Sequence, residues 1–422
     1  MLQSLFDCNS IHKLPRVLPA PYAEKGIVKM SKEKILIIYE DFSAGGSTTS
    51  LLALLNAWDY DRYGVDLLPY RLGAEERARL ESRIPPQVNI LNDAVKLGNS
   101  PKNRPLKGAL MITSPHFHKA IKARKNGANK YVVLQHMGYA KVRLCRRIPE
   151  IYRAAIAFIE GWSTSYLLSD KVKADKKIAF VHLDYKTAGV DPEIDRKPFE
   201  KLNSLIAVSD SCRKGLIELY PEYSDKITAI ENLHQTELIK KLSKQAPPEG
   251  FPDRVNFLTV CRPDIKVKGL DRLLDAAVNL RKSGYKFTWA VVGAGGYEQF
   301  LQMLKERDLQ DCVLPFNVTE NPYPCFIRAD WFVLTSRTEA KPMTVTESMI
   351  LGTPCIVTDY ASATEQIENG INGIITENST DGIITALKQV LDAKELRKAF
   401  TDSLQSRSYD NTEELQKLYG II

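Results

Sequence analysis

The chain has 422 residues, 44% of them apolar and 26% charged, with a formal net charge of +7. That length exceeds what one core usually holds, and the composition is ordinary for globular proteins, so two folded domains are expected and large-scale disorder is not. No apolar stretch approaches the roughly 18 residues a membrane-spanning helix needs, and the mild positive balance gives no reason to expect a nucleic-acid partner.

Residues 1–29 lack the long apolar core of a secretory signal. MSKEKILIIYED, from Met30, reads like a natural beginning, a short charged lead into a buried strand. The first 29 residues are therefore expected to be an N-terminal extension outside the fold. Seven cysteines (Cys8, Cys145, Cys212, Cys261, Cys312, Cys325 and Cys355) are dispersed with no C-x-x-C pair. Such a set reads as reduced thiols in a cytoplasmic protein rather than as a disulfide framework or zinc site.

Along the chain, short β-rich apolar runs alternate with amphipathic stretches. KILIIYE (34–40), GVDLLPY (64–70), ALMIT (109–113), YVVLQHM (131–137), AAIAFI (154–159), KIAFVH (177–182), SLIAV (204–208) and KITAI (226–230) are expected strands. A segment rich in Lys, Pro and Gly, KKLSKQAPPEGFPDR (240–254), reads as a linker. The alternation then restarts with NFLTVC (256–261), FTWAVVG (287–293), DWFVLTS (330–336), PCIVT (354–358) and GIIT (373–376). Continuous apolar strands separated by helices argue for parallel sheets covered on both faces. The expected fold class is thus α/β, with two doubly wound Rossmann-like domains facing each other across a cleft. The boundaries fall at 30–238 and 239–404. In open parallel sheets ligands bind beyond the carboxyl ends of the strands, so the cleft is the default site.

Two basic clusters, HKAIKARKNGANK (118–130) and KVRLCRRIPEIYR (141–153), read first as solvated helix faces. The sharper reading is attraction to an anionic membrane surface or to a pyrophosphate-bearing acceptor.

Unusual residues gather at strand ends. In DFSAGGSTTSLLALLNAW, Gly45 and Gly46 allow a tight turn, and Ser47, Thr48 or Thr49 can cap the helix that follows. Its N-terminal N–H groups favour an anion. The pattern is neither G-x-G-x-x-G nor a Walker loop, and by itself a glycine pair is more often a structural turn. In NFLTVCRPDIKVKGLDRLLDAA, Arg262 follows a strand and Lys268 precedes a helix. A planar guanidinium fork and a compact ammonium together suit a diphosphate, whereas surface charge on a loop is the plain alternative. VVGAGG (291–296) is another glycine turn after a strand, open to a base or ribose. His116 and His118 share a short loop after an expected strand, but no third ligand of metal-site spacing accompanies them.

SRTEAKPMTVTESMILGTPCIV (336–357) carries the strongest signal. A strand ends at Ser336, Glu339 lies in the loop, Pro342 suits a first helical position, and Gly352 suits the helix end. The N–H groups around Met343 and Thr344 would point into the cleft and favour a phosphate. Glu347, one turn on, could accept two hydroxyl hydrogen bonds, as from a ribose.

This E-x7-E pair, with Pro three residues after the first Glu and a following G-x-P strand start, resembles the retaining GT-B glycosyltransferases of the family 4 type. The likeness covers nearly all of residues 34–405. Residues 256–275 resemble the diphosphate element of that family, and LPFNVTENPYPCFIRADWFVLTS (314–336) resembles the stretch leading to its carboxylate motif. AFIEG (157–161) and KKIAFVHLDY (176–185) are similar to bacterial capsular and exopolysaccharide members. The resemblance implies donor binding by Gly45, Gly46, Arg262, Lys268, Met343, Thr344 and Glu347, with Arg262 and Lys268 on the diphosphate and Glu347 on the ribose. Glu339 would lie at the transferred sugar, and His182 would contact sugar or acceptor. A C-terminal helix, roughly 405–422, would return to the first domain. Ala340 stands where Gly is common, which leaves the sugar open. Asn317 replaces a common Gly, which leaves the base open.

The activity so implied is transfer of a sugar from a nucleotide diphosphate sugar, a UDP-sugar above all, to a glycan or lipid-linked acceptor in bacterial cell-surface polysaccharide synthesis. Anomeric configuration would be retained and neither metal nor cofactor used, with the protein cytoplasmic or peripheral at the inner face of the membrane. Two rivals remain: a catalytically silent GT-B partner subunit, and a glycoside hydrolase using the carboxylate pair.

Overall fold

The computed structural model describes residues 32–40, 42, 45–70, 81–91, 104–160 and 162–422. The expected extension at 1–29 lies outside them. Residues Glu33–Ile422 form one compact unit holding two wholly parallel sheets.

The first sheet has the order β3-β2-β1-β4-β5-β6-β7. Its strands are β1 (Glu33–Tyr39), β2 (Tyr63–Pro69), β3 (Val88–Ile90), β4 (Ile151–Ala157), β5 (Lys173–Val181), β6 (Ser204–Ala207) and β7 (Ile227–Ala229). The second sheet runs β10-β9-β8-β11-β12-β13, from β8 (Val255–Val260), β9 (Trp289–Val292), β10 (Val313–Phe316), β11 (Ala329–Leu334), β12 (Cys355–Thr358) and β13 (Gly373–Thr376). The strand order therefore reverses between β1 and β4 in one sheet, and between β8 and β11 in the other. Crevices form at such switch points.

Burial explains the continuous apolar runs. Along β1, Leu36 and Ile38 pack into one layer while Ile35, Ile37 and Tyr39 pack into the opposite one, all of them buried. A strand covered on both faces has no polar side to present. In the second sheet Trp289 and Val291 face one layer, and Ala290 and Val292 the other.

The helices that bear on function are α1 (Gly46–Ala57), α2 (Arg104–Ile112), α3 (Pro115–Lys125), α4 (Lys130–Val142), α5 (Asp210–Leu219), α6 (Thr236–Ser243), α7 (Leu270–Lys282), α8 (Met343–Ile350) and α9 (Glu413–Ile421). The last of these returns to the first sheet, where Leu415, Leu418 and Ile422 join the layer built on Ile35 and Ile37.

Two expected strands are helical. ALMIT lies in and just beyond α2, and YVVLQHM lies within α4. Asn129 caps α4, its side chain accepting the Tyr131 N–H at 2.9 Å. Gln135, Gly138 and Val142 then turn inward at helical spacing. The apolar run was too short for its period to separate strand from buried helix. Conversely β3, of three residues, and β10, with Pro315 inside it, gave no strand signal. The first part of the expected linker, Lys240–Ser243, belongs to α6.

Candidate active site

A cleft of about 270 Å³ opens between the carboxyl ends of the two sheets. Gly45, Gly46, His182, Arg262, Lys268, Glu339, Met343, Thr344 and Glu347, the residues singled out in the sequence, all line it. Strand topology brings them together, since each follows a strand end in one of two facing sheets.

The two halves meet closely here. A Cβ on Gly46 would lie 3.1 Å from Cγ of Met343, and one on Gly45 would lie 3.7 Å from Cδ of Arg262. Thus the N-terminus of α1 faces the N-terminus of α8, with Arg262 alongside. Helix N-termini carry N–H groups without intrahelical partners and a partial positive charge. Two of them, with Arg262 and Lys268, gather positive charge at one end of the cleft. Pro342 stands one residue earlier than expected, as the cap of α8 rather than its first residue.

Lys268 is held from below. Gly269 takes φ +63°, and a Cβ there would lie 2.0 Å from the Thr335 carbonyl oxygen, so only glycine fits. The Thr335 hydroxyl donates to the carbonyls of Lys268 (2.9 Å) and Gly269 (3.1 Å). Arg337 grips the same loop, donating to the Lys266 carbonyl at 2.8 Å and to both carboxylate oxygens of Asp271. So fixed, the Lys268 ammonium donates to Oε1 of Glu339 at 2.7 Å, and the Ser336 hydroxyl donates to that same oxygen at 2.6 Å. An incoming phosphate and Glu339 would therefore share one cation.

Glu347 is nearly inaccessible, 4% exposed, and accepts the Tyr323 hydroxyl at 3.2 Å. Burial pushes its carboxyl up to about 7, against the pull of that hydrogen bond. A buried carboxylate with one hydroxyl partner keeps acceptor capacity for a ligand's hydroxyls.

On the first sheet, His182 at the end of β5 places Nε2 3.0 Å from Oδ1 of Asn232, which also accepts the Ser50 hydroxyl at 2.7 Å. This network puts the proton on Nε2. Burial lowers the imidazole to about 4, against the Asn232 bond, so it is neutral at neutral pH. Three residues bearing on the cleft escaped the sequence reading. Asn232 orients His182. Glu160, just past β4, accepts the His182 backbone N–H at 2.5 Å. Lys341, its side chain 8% exposed, reaches Glu231 of the first half at 2.5 Å. Only their positions after strand ends could have flagged them. Glu365 also ties the halves, its carboxylate accepting the N–H groups of Asp210 (3.1 Å) and Ser211 (2.8 Å) at the start of α5.

The histidine pair of the first half makes no metal site among the described residues. Both residues lie in α3, not a loop, because the preceding run is helical. His116 meets His136 at 3.1 Å, and His118 meets the Ile112 carbonyl. The six cysteines of the described residues are free thiols. A larger cavity, about 840 Å³, lies between the end of α1, α6 and the segment 404–412. Its charges are spent locally, Lys240 on Glu237 and Arg407 on Glu368. Among the described residues no helix is long and apolar enough to cross a membrane.

Residues 243–407 match the family described as glycosyl transferases group 1. Over 146 residues the chain is 29% identical to the amylovoran biosynthesis glycosyltransferase AmsK of Erwinia amylovora, covering 32% of this chain and 35% of that one. It is 22% identical over 113 residues to the N-acetylgalactosamine-N,N'-diacetylbacillosaminyl-diphospho-undecaprenol 4-alpha-N-acetylgalactosaminyltransferase of Campylobacter jejuni, covering 26% of this chain and 31% of that one. The aligned stretch thus spans about a third of these curated relatives. The likeness of fold reaches further. The crystal structure of Anabaena HepE in complex with UDP and glucose superposes with a TM-score of 0.65 at 17% identity, covering 92% of this chain and 98% of that one. Residues 243–407 thus carry the match to glycosyl transferases group 1, and the likeness to the HepE structure shows that the chain as a whole shares that protein's two-sheet fold.

Proposed function

We propose that this protein transfers a sugar from a nucleotide diphosphate sugar, with UDP as the favoured nucleotide, to a hydroxyl of a glycan or lipid-linked acceptor in the synthesis of a bacterial surface polysaccharide. The observation that carries the reading is the Lys268 ammonium bonded to Glu339 in the cleft that Arg262 and the N-termini of α1 and α8 also line, with buried Glu347 one turn inside α8. The diphosphate lies against Arg262, Lys268 and the N-termini of α1 and α8. The ribose hydroxyls reach Glu347, and the transferred sugar lies beside Glu339. As the glycosidic bond to phosphate breaks, its electron pair goes to the departing oxygen, whose charge the two cations and two helix ends offset. Glu339 steadies the oxocarbenium-like sugar. The acceptor oxygen forms the new bond on the face the diphosphate leaves, and configuration is retained. No step in this scheme requires a metal.

Titration calorimetry with UDP and GDP, followed by turnover of nucleotide sugars with NMR assignment of the product anomer, tests the proposal. UDP is expected to bind, and failure of both nucleotides to bind would overturn it. Equal rates of transfer by wild type and Glu339→Ala would sink the role assigned to Glu339, and a wild type that binds UDP but neither hydrolyses nor transfers any donor would favour the silent-partner reading.

The membrane reading gains support from α2–α4. Leu106, Ile112, Ile121 and Leu134 are exposed large apolar side chains on these helices. Exposed Lys122, Arg124 and Lys125 stand among them. Apolar side chains interleaved with cations suit an anionic bilayer surface, which a lipid-linked acceptor would require.

A further inference from the structure

Glu160 is a largely enclosed carboxylate, its side chain 16% exposed, that the scheme above leaves unused. It stands at the switch point of the first sheet, three residues after β4, and faces the switch point of the second sheet across the cleft. Its Oε2 accepts the His182 backbone N–H at 2.5 Å and lies 3.9 Å from Nδ1 of the same residue. That nitrogen is buried and makes no hydrogen bond. With the Nε2 proton turned to Asn232, Nδ1 presents a lone pair toward the carboxylate, so the imidazole gives Glu160 no counter-charge. Burial accordingly raises the Glu160 carboxyl, against the backbone bonds and the nearby Arg262 charge. An amide side chain could accept the His182 N–H without this cost, so a carboxylate lining the cleft at this position calls for an explanation.

The phosphate end of the cleft cannot supply one, because a carboxylate repels a diphosphate. The charge-neutral partner that suits it is a hydroxyl. A carboxylate offers about four lone-pair positions, two of which are taken by the His182 N–H and its own backbone amide. On the proposed glycosyltransferase reading, the donor is held by the second half and by the N-terminus of α1. The hydroxyl that reaches Glu160 at the first-sheet floor is then the nucleophile. We infer that Glu160, backed by the His182–Asn232 network, accepts a hydrogen bond from the attacking acceptor hydroxyl, or from water in its absence, and aims its oxygen at the sugar. Glu160 keeps no proton. The O–H proton passes to the departing phosphate oxygen as the new bond forms.

The test compares wild type, Glu160→Gln and Glu160→Ala in the full chain. UDP affinity is measured by calorimetry. Donor hydrolysis is measured with whichever of UDP-glucose, UDP-galactose, UDP-N-acetylglucosamine and GDP-mannose the wild type turns over fastest. Transfer is measured with the same donor and octyl glucoside and octyl galactoside. Glu160→Gln keeps an acceptor for the His182 N–H and so guards against misfolding. The expected result is UDP affinity and donor KM within about twofold of wild type, with kcat for hydrolysis and transfer down about tenfold in the Gln variant and about a hundredfold in the Ala variant. Unchanged kcat overturns the inference, as does a loss of UDP affinity by the same factor, which would place Glu160 on the donor or in the scaffold. If wild type binds no nucleotide, the glycosyltransferase reading fails first and this one falls with it. If UDP binds but Glu160 variants turn over normally, only this one fails.

Discussion

Replacing Glu347 by Gln should strengthen the protein and weaken its ligand binding, and the stability gain should depend on pH. The carboxyl ionises at about 7 in the fold and at 4.5 when unperturbed. Between those values the folded chain holds a proton that the unfolded chain has released. Raising the pH through that window therefore erodes stability, and the erosion is complete above it. At pH 8 the cost of the ionised side chain is about 3 kcal/mol, and at pH 5.5 it is about 1 kcal/mol. Gln keeps an acceptor for the Tyr323 hydroxyl but brings an amide N–H₂ into a buried place, which costs about 1 kcal/mol at either pH. That term cancels on comparing conditions. Relative to wild type, Glu347→Gln should thus gain about 2 kcal/mol between pH 5.5 and pH 8, read from urea unfolding of the unliganded proteins. Added UDP at a hundred times its Kd should stabilise wild type by about 2.7 kcal/mol and the variant by distinctly less. Parallel stability curves at the two pH values would refute the burial cost, and equal rescue by UDP would refute the ribose assignment.

Gly269→Ala should lower stability by at least about 2 kcal/mol, since the new Cβ meets the Thr335 carbonyl at a residue held at positive φ. Displacement of Lys268 should also weaken UDP binding, measured by calorimetry, and unaltered binding would show that the loop tolerates the shift. If α2–α4 meet a bilayer, changing Lys122, Arg124 and Lys125 together to Ala should remove about 1 kcal/mol per cation. Co-sedimentation with phosphatidylglycerol vesicles should then fall on the order of a hundredfold, and binding that ignores both this change and added salt would refute the surface.

The second half was the more legible in sequence because its strands are uninterrupted and its special residues follow them directly. Arg262, Lys268, Glu339 and Glu347 could be placed at the cleft from β8 and β11 alone. The first half hid more. In α4 the run Val132, Val133 and Leu134 has the composition of a strand, and only Asn129 hinted at a helix start. Asn232 and Glu160 act through space. Glu160 is 22 residues from the His182 amide it accepts, and Asn232 is 50 residues from the His182 ring. No local pattern encodes such pairings. Lys341 was passed over because a lysine between Glu339 and Pro342 looks solvated until Glu231 is brought beside it from the other half.

The return of α9 to the first sheet has a consequence for synthesis. Leu415, Leu418 and Ile422 complete a layer whose other members, Ile35, Ile37 and Leu51, leave the ribosome hundreds of residues earlier. Until the last turn of that helix emerges, this layer of the N-terminal half stays unfinished and presents apolar surface, while the whole second sheet has already been made. The half made first is the half closed last, and a ribosome stalled short of residue 422 would hold a finished second half joined to an open first one.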